Sequence, residues 1–346
     1  MSSAAPSARL GIVLVNYKGW SHTLECLESL FRSTIPIRVV VVDNASGNDS
    51  LDHIAAWARG DQPASALNES MSRFSVPPVP KPIEVVRLNA SDPPPTTRPV
   101  LMLVDAGANR GFAGGNNIGL RILAADPKLA YFWLLNNDTV VEPGAAAALV
   151  ARMDSTHNVG MCGTVIRYYH RPDRIQALNG GRFSRLTGVS SHIGRGSRAT
   201  MPFDPAAVAR DTDYVLGASL AVSRRFLERI GMMEESYFLY FEEIDWSYRN
   251  RGRFAIAFAH GAVIYHKEGG SIGSSGVKGE RSVTSEYYLL HSRLAFVRRQ
   301  MPVLLPVHWI VALGQIGRRV LRRQPNKALV MTRALLGLRH KTETRG

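Results

Sequence analysis

Acids and amides that directly follow an apolar segment are well placed for chemistry, and the first such set is Asn136, Asn137 and Asp138. The apolar residues 131–135 precede this set and predict a buried strand. A carboxylate at the end of such a strand can hold Mg²⁺ or Mn²⁺, which combine one or two protein carboxylates with substrate phosphates. Taken alone the set is weak, because Asp138 could also cap the helix that Pro143 opens.

A second set of acids, Glu242, Glu243 and Asp245, lies among aromatic residues in the segment 238–246. Apolar surroundings raise the pKa of a carboxylate and suit it to act as a general base. On a helix, Glu242 and Asp245 would share a face while Glu243 points elsewhere. The alternative is a solvated helix start, where acidic residues are favoured by the macrodipole.

Two glycine-rich segments complete the candidate residues. Residues 265–271 place His266 between a strand and a loop that could close over a ligand, where the imidazole could bind a metal or a diphosphate. A lone histidine is more often structural. Residues 109–117 resemble a phosphate-binding turn without matching the G-x-G-x-x-G or P-loop pattern. Their small residues allow close backbone approach, and their Asn side chains can bind a sugar or a base.

The elements that must position these residues predict an α/β fold with a parallel sheet. Leu10–Asn16, residues 21–32 and residues 39–42 have the patterns of a strand, a helix and a strand, which together form a βαβ unit. Ligands of such sheets bind at the carboxyl ends of the strands. The polar residues at these two ends are Asn16, Tyr17, Asp43 and Asn44.

Later segments extend the α/β pattern as far as residue 300, with one interruption. Residues 61–99 hold nine of the nineteen prolines and predict an irregular surface insertion. The remaining predicted strands are residues 84–88, 101–104, 214–222 and 255–265, and the remaining predicted helices are residues 116–125, Arg224–Ile230 and residues 282–300.

The C-terminal segment 301–346 is apolar at first and then basic, and it contributes much of the net charge of +14. Residues 318–346 contain nine Lys or Arg against a single acid. This pattern fits either a segment that lies in an anionic membrane interface or a helix packed on the main domain with a solvated basic face. Nucleic acid is not favoured as a partner, because no aromatic and basic recognition motif accompanies the charge.

These pieces, taken together and in order, resemble the family 2 inverting glycosyltransferases of the GT-A fold, especially bacterial rhamnosyltransferase-like members. The similarity extends over about residues 10–300. The matching stretches are residues 12–18, 41–46, 109–119, 134–138, 217–218 and 241–245, together with His266 and residues 269–271.

The resemblance implies a role for each matching residue. Asn136, Asn137 and Asp138 stand where the family has its Asp-x-Asp metal motif, so Asp138 becomes the expected ligand of Mg²⁺ or Mn²⁺, with His266 assisting. The remaining expected nucleotide-sugar contacts are Asn16, Tyr17, Asp43 and Asn44 for the nucleoside, and Arg110, Gly111 and Asn116 for the base and ribose.

The acids of the second set occupy the place of the family's catalytic Glu-Asp pair. The second acid of that pair is the base, and here it is Glu243, one methylene longer than aspartate. Asp245 competes for this role, and Glu242 is the neighbouring acid. The implied reaction is a single in-line displacement that inverts the anomeric configuration.

The resemblance favours dTDP-rhamnose as the donor, followed by UDP-hexoses, and a glycan or lipid-linked acceptor in cell-wall or surface polysaccharide synthesis. It also implies a cytoplasmic protein that contacts the inner face of the cell membrane peripherally. Two alternatives stay open. A dinucleotide-dependent oxidoreductase is disfavoured, because residues 16–20 lack its glycine fingerprint. A non-catalytic sugar- or nucleotide-binding relative would keep the same fold.

Overall fold

The computed structural model describes residues 8–267 and 282–339. The strands are β1 (Leu10–Asn16), β2 (Ile37–Asp43), β3 (Val85–Asn89), β4 (Leu101–Asp105), β5 (Tyr131–Asn136), β6 (Thr139–Val141), β7 (Val159–Tyr168), β8 (Arg171–Leu178), β9 (Gly180–Phe183), β10 (Ser190–His192), β11 (Tyr214–Val215), β12 (Ser219–Ser223) and β13 (Ala255–His266). The helices are α1 (Trp20–Leu30), α2 (Ser50–Arg59), α3 (Gly111–Ala124), α4 (Ala145–Ser155), α5 (Pro205–Arg210), α6 (Arg224–Ile230), α7 (Glu242–Asn250), α8 (Val283–Gln300), α9 (Leu305–Leu321) and α10 (Pro325–Leu335).

The main sheet has ten strands in the order β3-β4-β2-β1-β5-β12-β7-β13-β6, with β8 paired to β7. From β3 to β5 all neighbours are parallel, and the antiparallel β12 joins this half to β7. Asn16 lies opposite Asp43 on β2, and Val15 lies opposite Asn136 on β5. The carboxyl ends of these strands therefore meet at one edge, and the predicted α/β architecture is confirmed.

Both faces of the sheet are covered, so its central strands are apolar on both sides. Ile12 and Leu14 belong to the core on one face, whereas Val13 belongs to the core on the other. Helix α3 packs closely on β1, because a Cβ at Gly119 would lie 2.5 Å from Cγ1 of Val13. The prediction of a turn at residues 109–117 was wrong in extent, since the helix already begins at Gly111. Gly115 and Gly119 of this helix provide the close contact with β1.

The proline-rich segment 61–99 is more integrated than the sequence predicted. It contributes the edge strand β3, which pairs in parallel with β4, and it buries Met71 and Phe74. Glu28 of α1 accepts hydrogen bonds from Val79 N and from Lys81 Nζ, the latter at 3.1 Å. Surface exposure was therefore the wrong expectation for part of this segment, because its apolar residues and a buried carboxylate tie it to the core.

The region between residues 159 and 222 also departs from the predicted pattern. The predicted strand at residues 214–222 is two strands, since β11 pairs with β9 in a small three-stranded sheet and β12 lies in the main sheet. Strands β7 to β10 had not been predicted. The tight contact of Gly180 with Tyr214 O, only 1.8 Å from an ideal Cβ, shows how closely the small sheet is built.

The C-terminal helices α8, α9 and α10 pack against one another. Their shared hydrophobic cluster includes Tyr287, Leu294, Ala312 and Met331. Helix α9 nevertheless leaves large apolar side chains exposed on its outer face. Among the helices of the described residues, none is both long enough and apolar enough to cross a membrane.

Candidate functional site

A cavity of about 1340 Å³ opens at the carboxyl edge of the main sheet, between β5, β7, β13, α7 and the C-terminal helices. Ten of the predicted site residues line it: Tyr17, Asn44, Gly111, Asn116, Asn136, Asn137, Asp138, Glu242, Glu243 and His266. The other four, Asn16, Asp43, Arg110 and Asp245, lie outside the lining.

A buried polar network ties together the ends of three strands behind the cavity. Asn16 Nδ2 donates to Asp43 Oδ1 at 2.6 Å and to Ser46 Oγ at 3.1 Å. Thr23 Oγ1 donates to Asn16 Oδ1 at 2.9 Å and accepts from Asn137 Nδ2 at 2.9 Å. Because these side chains satisfy one another, Asn16 and Asp43 hold the edge in shape while Asn137 reaches the cavity from behind.

The segment before α3 is fixed by Asn44. Its Nδ2 donates to Asn109 Oδ1 and to Gly111 O, both at 3.0 Å, and its Oδ1 accepts from Arg110 N at 3.0 Å. Gly111 has a φ of +68°, and a Cβ there would lie 2.3 Å from Phe238 O. Only glycine fits this position, where the segment passes against the residues that lead into α7.

The remaining nucleotide-side candidates are less constrained. Tyr17 is half-buried, and the Lys18 ammonium lies 5.2 Å from the centre of its ring. Asn116 Nδ2 donates to Phe112 O at 2.9 Å, and this hydrogen bond fixes the orientation of the side-chain amide. The Arg110 side chain is exposed, with its Nε 3.5 Å from Ala106 O.

Asp138 and His266 form the metal-binding candidate. Nε2 of His266 lies 3.1 Å from Oδ1 of Asp138, and both side chains are buried. Nδ1 of His266 lies 2.9 Å from Oε1 of Gln176, and Asn136 Nδ2 lies 3.3 Å from Nε2. With Gln176 as the acceptor, Nδ1 carries the proton and Nε2 keeps a lone pair, which is the arrangement of a histidine ligand and its supporting partner.

This donor set fits a divalent cation that is shared with substrate. A carboxylate oxygen and an imidazole nitrogen 3.1 Å apart attract each other when a proton or a metal cation lies between them. The described residues contain no group of three or more His, Cys, Asp or Glu side chains arranged for a metal. Within the part of the chain that the structure describes, Asp138 and His266 supply a partial set, which suits Mg²⁺ or Mn²⁺ completed by phosphate oxygens.

The first turn of α7 carries the two acids that face the cavity. Burial raises the pKa of Glu243 to about 7, while its side chain stays partly accessible. Burial and the Glu243 charge together raise the pKa of Glu242 well above its ordinary value, and Glu242 Oε2 has no hydrogen-bond partner within the described residues. Tyr240 and Phe241 enter the helix at φ values of 66° and 74°, strained for such residues. The strained backbone at these two residues therefore directs Glu242 and Glu243 towards the cavity.

Asp245 has the opposite environment. It is fully buried, and its Oδ2 accepts from Arg249 Nε at 2.8 Å. Its Oδ1 accepts from Gln300 Nε2 at 2.8 Å and from Tyr237 Oη at 3.3 Å. The geometry therefore favours Glu243 over Asp245 as a proton acceptor in the cavity, since both oxygens of Asp245 are already held by donors.

Several residues of the cavity had not been singled out in the sequence. Lys267 Nζ lies 2.6 Å from Glu25 Oε2 and 3.1 Å from His22 Nδ1, and Tyr169 Oη donates to Glu25 Oε1 at 2.6 Å. Gln176 is another, since its strand was not predicted. The position of Lys267 next to His266 was the one available signal. Residues 268–271 of the predicted loop lie outside the described residues.

No protein-family model matches the chain. A hexosyltransferase of low-salt glycan biosynthesis from Haloferax volcanii is 26% identical over 148 residues, which are 43% of this chain and 45% of that protein. The chain thus matches less than half the length of this curated relative.

Two solved structures show the same fold. The structure of GalNAc-T7 with UDP, GalNAc and Mn²⁺ has a TM-score of 0.53 at 14% identity, and covers 84% of this chain and 48% of the other. The mannosyltransferase from Pyrobaculum calidifontis in complex with GDP-Man and Mn²⁺ has a TM-score of 0.50 at 14% identity, over 96% and 76%. The chain has the GT-A fold of these glycosyltransferases, which confirms the predicted fold class.

Proposed function

We propose that this protein is an inverting, metal-dependent glycosyltransferase that moves a sugar from a nucleotide-sugar donor to an acceptor hydroxyl. The observation that carries the proposal is one cavity that holds both the Asp138–His266 pair and the accessible carboxylate of Glu243. A cation site and a base of raised pKa at the carboxyl edge of one sheet are the two groups that such a transfer needs.

We assign binding of the nucleotide-sugar donor to the part of the cavity at the carboxyl ends of the strands. Asn44, Tyr17, Gly111 and Asn116 line the part of the cavity that would receive the nucleoside, with Asn16, Asp43 and Arg110 behind or beside them. Asp138 and His266 would hold Mn²⁺ or Mg²⁺ together with the donor diphosphate. When bound, the cation offsets the negative charge that develops on the departing nucleotide diphosphate.

In the proposed transfer, Glu243 acts as the base. Its carboxylate accepts the proton of the acceptor hydroxyl, and that oxygen forms a bond to the anomeric carbon of the donor sugar. The bond from this carbon to the diphosphate oxygen breaks on the opposite side, so the configuration inverts. The raised pKa of about 7 gives Glu243 the basicity for this proton transfer near neutral pH.

The finer assignment is a member of the family 2 glycosyltransferases that resembles the rhamnosyltransferases. dTDP-rhamnose is the favoured donor and UDP-hexoses come next, with a glycan or lipid-linked acceptor of cell-wall or surface polysaccharide synthesis. The Haloferax volcanii relative is described as a hexosyltransferase of glycan biosynthesis, which supports a hexose donor and a glycan product.

A donor-hydrolysis assay tests this function. We expect release of nucleotide diphosphate from dTDP-rhamnose or a UDP-hexose that needs Mn²⁺ and is lost in Asp138→Ala. Asp61→Ala, which removes an exposed acid after α2, is the matched control and should retain the activity. Absence of release with every common nucleotide sugar would instead favour a binding protein of the same fold.

The supporting partner of His266 offers an independent test of the metal assignment. Gln176→Leu removes the acceptor for Nδ1 of His266 and leaves both proposed ligands, Asp138 and His266, in the sequence. We expect the Mn²⁺ concentration for half-maximal activity to rise by roughly 10–100-fold, as is usual when a ligand loses such a partner. An unchanged Mn²⁺ requirement would remove His266 from the proposed metal site.

Peripheral contact with an anionic membrane is the second part of the proposal. Residues 301–317 contain no Asp, Glu, Lys or Arg, and Ile310 and Leu313 on α9 are 69% and 57% exposed. The basic residues Arg318, Arg322 and Arg323 follow directly. An exposed apolar face followed by cations matches a helix that lies in the interface of an anionic bilayer.

Vesicle co-sedimentation tests this contact. The double variant Ile310→Ser and Leu313→Ser should lose binding to vesicles of phosphatidylglycerol and phosphatidylcholine, whereas Met201→Ser, which changes an exposed apolar residue elsewhere, should not. The unfolding temperature should stay close to that of the unchanged protein, because neither side chain belongs to the core. Equal sedimentation of all three proteins would contradict the proposal.

A further inference from the structure

A buried ion pair adjoins the proposed metal site. Lys267 directly follows His266 at the end of β13, and its Nζ lies 2.6 Å from Oε2 of Glu25 on α1. Glu25 is fully buried, and Lys267 is 8% exposed. The cost of removing two charges from water can exceed their mutual attraction, so such a pair is a weak source of stability. What it can provide beside a proposed ligand is a fixed geometry.

Three groups surround the ammonium of Lys267, although this residue lines the cavity. Besides Glu25, they are Nδ1 of His22 at 3.1 Å and the ring of Tyr169, whose centre is 5.0 Å away. An ammonium can only donate hydrogen bonds, so His22 accepts at Nδ1. The Lys267 side chain therefore fastens the end of β13 to α1, where both Glu25 and His22 lie.

The partners of Glu25 are also bonded to the two proposed ligands. Tyr169 Oη donates to Glu25 Oε1 at 2.6 Å, and Tyr169 N donates to His266 O at 3.0 Å. Lys267 N donates to Asp138 O, also at 3.0 Å. One carboxylate on α1 thus holds two side chains whose main chains are hydrogen-bonded to His266 and Asp138.

Glu25 can affect a cation at this site in two ways. Metal ligands must keep their positions to within about 0.2 Å, and Nε2 of His266 lies 3.1 Å from Oδ1 of Asp138. A tie that fixes the main chain of both residues preserves this spacing. The charge of Glu25 also offsets that of Lys267, which would otherwise repel a divalent cation next to His266.

We propose that Glu25 is a positioning residue that fixes the spacing of Asp138 and His266. It acts through Lys267 and Tyr169, and it lies outside the cavity lining, so it touches neither the cation nor the substrate. The inference rests on the proposed function, because it concerns the cation of that reaction. It predicts that the affinity for the cation depends on a carboxylate that is not itself a ligand.

Binding of Mn²⁺ to the full chain tests this role without measuring turnover. Mn²⁺ is titrated with dTDP or UDP present, and the free ion is followed by electron paramagnetic resonance, with Asp138→Ala giving the signal of Mn²⁺ bound elsewhere. In Glu25→Gln the amide oxygen can still accept from Tyr169, but its NH₂ group then faces the Lys267 ammonium. We expect Mn²⁺ to bind at least roughly tenfold more weakly, as when other supporting partners of a metal site are removed.

Glu28 provides the matched control on the same helix. This carboxylate is also buried, lies 3.1 Å from the ammonium of Lys81, and accepts from Trp57 Nε1 at 2.7 Å. Its partners belong to α2 and to the segment 61–99, and they do not line the cavity. Both Glu28→Gln and Glu25→Gln should lower the unfolding temperature, but only Glu25→Gln should weaken Mn²⁺ binding. Equal Mn²⁺ affinity in Glu25→Gln and the unchanged protein, or equal losses in both variants, would overturn the proposal.

Two further variants separate position from charge and from folding. Lys267→Met combined with Glu25→Gln removes both charges without restoring the tie, so Mn²⁺ binding should stay weak. Full recovery would mean that Glu25 only offsets the charge of Lys267, which contradicts a positioning role. Tyr169→Phe removes one hydroxyl and serves if Glu25→Gln does not fold. It should weaken Mn²⁺ binding by roughly two- to tenfold, the effect of one hydrogen bond, and an unchanged affinity would count against the proposal.

Failure of this role and failure of the proposed function give different results. If Mn²⁺ binds and Glu25→Gln weakens its binding, but no nucleotide sugar is turned over, the proposed function fails and the positioning role stands. If the unchanged protein transfers sugar and Glu25→Gln binds Mn²⁺ as tightly, only the positioning role fails. No binding of Mn²⁺ by the unchanged protein would overturn both.

Discussion

The two faces of α7 carry carboxylates with opposite surroundings. Glu243 faces the cavity, is partly accessible, and has its pKa raised to about 7 by burial. Asp245, two residues further on, is fully buried and accepts hydrogen bonds from Arg249, Gln300 and Tyr237. One carboxylate is left able to take a proton, and the other is saturated by donors.

Within a single turn of α7, Glu243 is therefore suited to chemistry and Asp245 to stabilising the fold. A buried carboxylate that already has a cation and two further donors stabilises the packing of α7 against its neighbours, and its removal leaves a cation uncompensated. A carboxylate that is desolvated without such partners has an elevated pKa and suits proton transfer. Matched amide substitutions should therefore have different effects. Glu243→Gln should lower turnover, whereas Asp245→Asn should lower the free energy of unfolding.

The largest effect is expected on turnover when Glu243 is changed. Glu243→Gln keeps the size of the side chain but cannot accept a proton, so transfer should fall by roughly 10²–10⁴-fold. Protection by donor with Mn²⁺ should be unchanged. In the unchanged protein the rate of transfer should rise with pH through about 7, as the Glu243 carboxylate becomes ionised. A variant that retains most of its turnover would assign the base elsewhere.

The second-largest effect is expected on the free energy of unfolding when Asp245 is changed. In Asp245→Asn, either orientation of the amide turns its NH₂ group towards a donor, Arg249 on one side or Gln300 on the other. We expect a loss on the order of 3 kcal/mol in the free energy of unfolding, since a buried ion pair is broken. Denaturant unfolding measures it. Turnover per folded molecule should remain close to normal, and its collapse in a fully folded variant would make Asp245 the catalytic base.

The architecture was largely readable from the sequence because its signals are local. Continuous apolar runs such as Leu10–Asn16 predict buried parallel strands, and the polar residues that follow them mark the ligand edge. Helix α3 was placed too late, since its early glycines have the composition of a turn. Gly115 and Gly119 are tolerated because they allow close contact with Val15 and Val13 of β1, a tertiary effect that no local pattern contains.

The sequence predicted the residue types of the candidate site, but not which of these residues line the cavity and which lie behind it. The family resemblance implied nucleoside contacts at Asn16 and Asp43, which lie outside the cavity lining and form a hydrogen bond with each other. Their role in nucleoside binding stays a prediction. Gln176 and the residues of α9 and α10 that line the cavity reach the strand ends only through long-range packing. The basic residue Arg322 was visible in the sequence, but its position on the cavity follows from how the C-terminal helices fold back.

The smallest effect is expected on the pH dependence of stability when Glu243 is changed. Because the pKa of Glu243 is raised from 4.5 to about 7, the folded state binds the proton more tightly than the unfolded state does. The resulting stabilisation is fully present below about pH 4.5 and is lost as the pH rises through about 7. Glu243→Gln removes this loss and also relieves Glu242, whose pKa is raised partly by the same charge. The variant should therefore match the unchanged protein near pH 4.5 and exceed its stability by roughly 1–3 kcal/mol at pH 8. Denaturant unfolding at a series of pH values measures this difference, and a gap that stays constant with pH would mean that Glu243 is not desolvated in the folded protein.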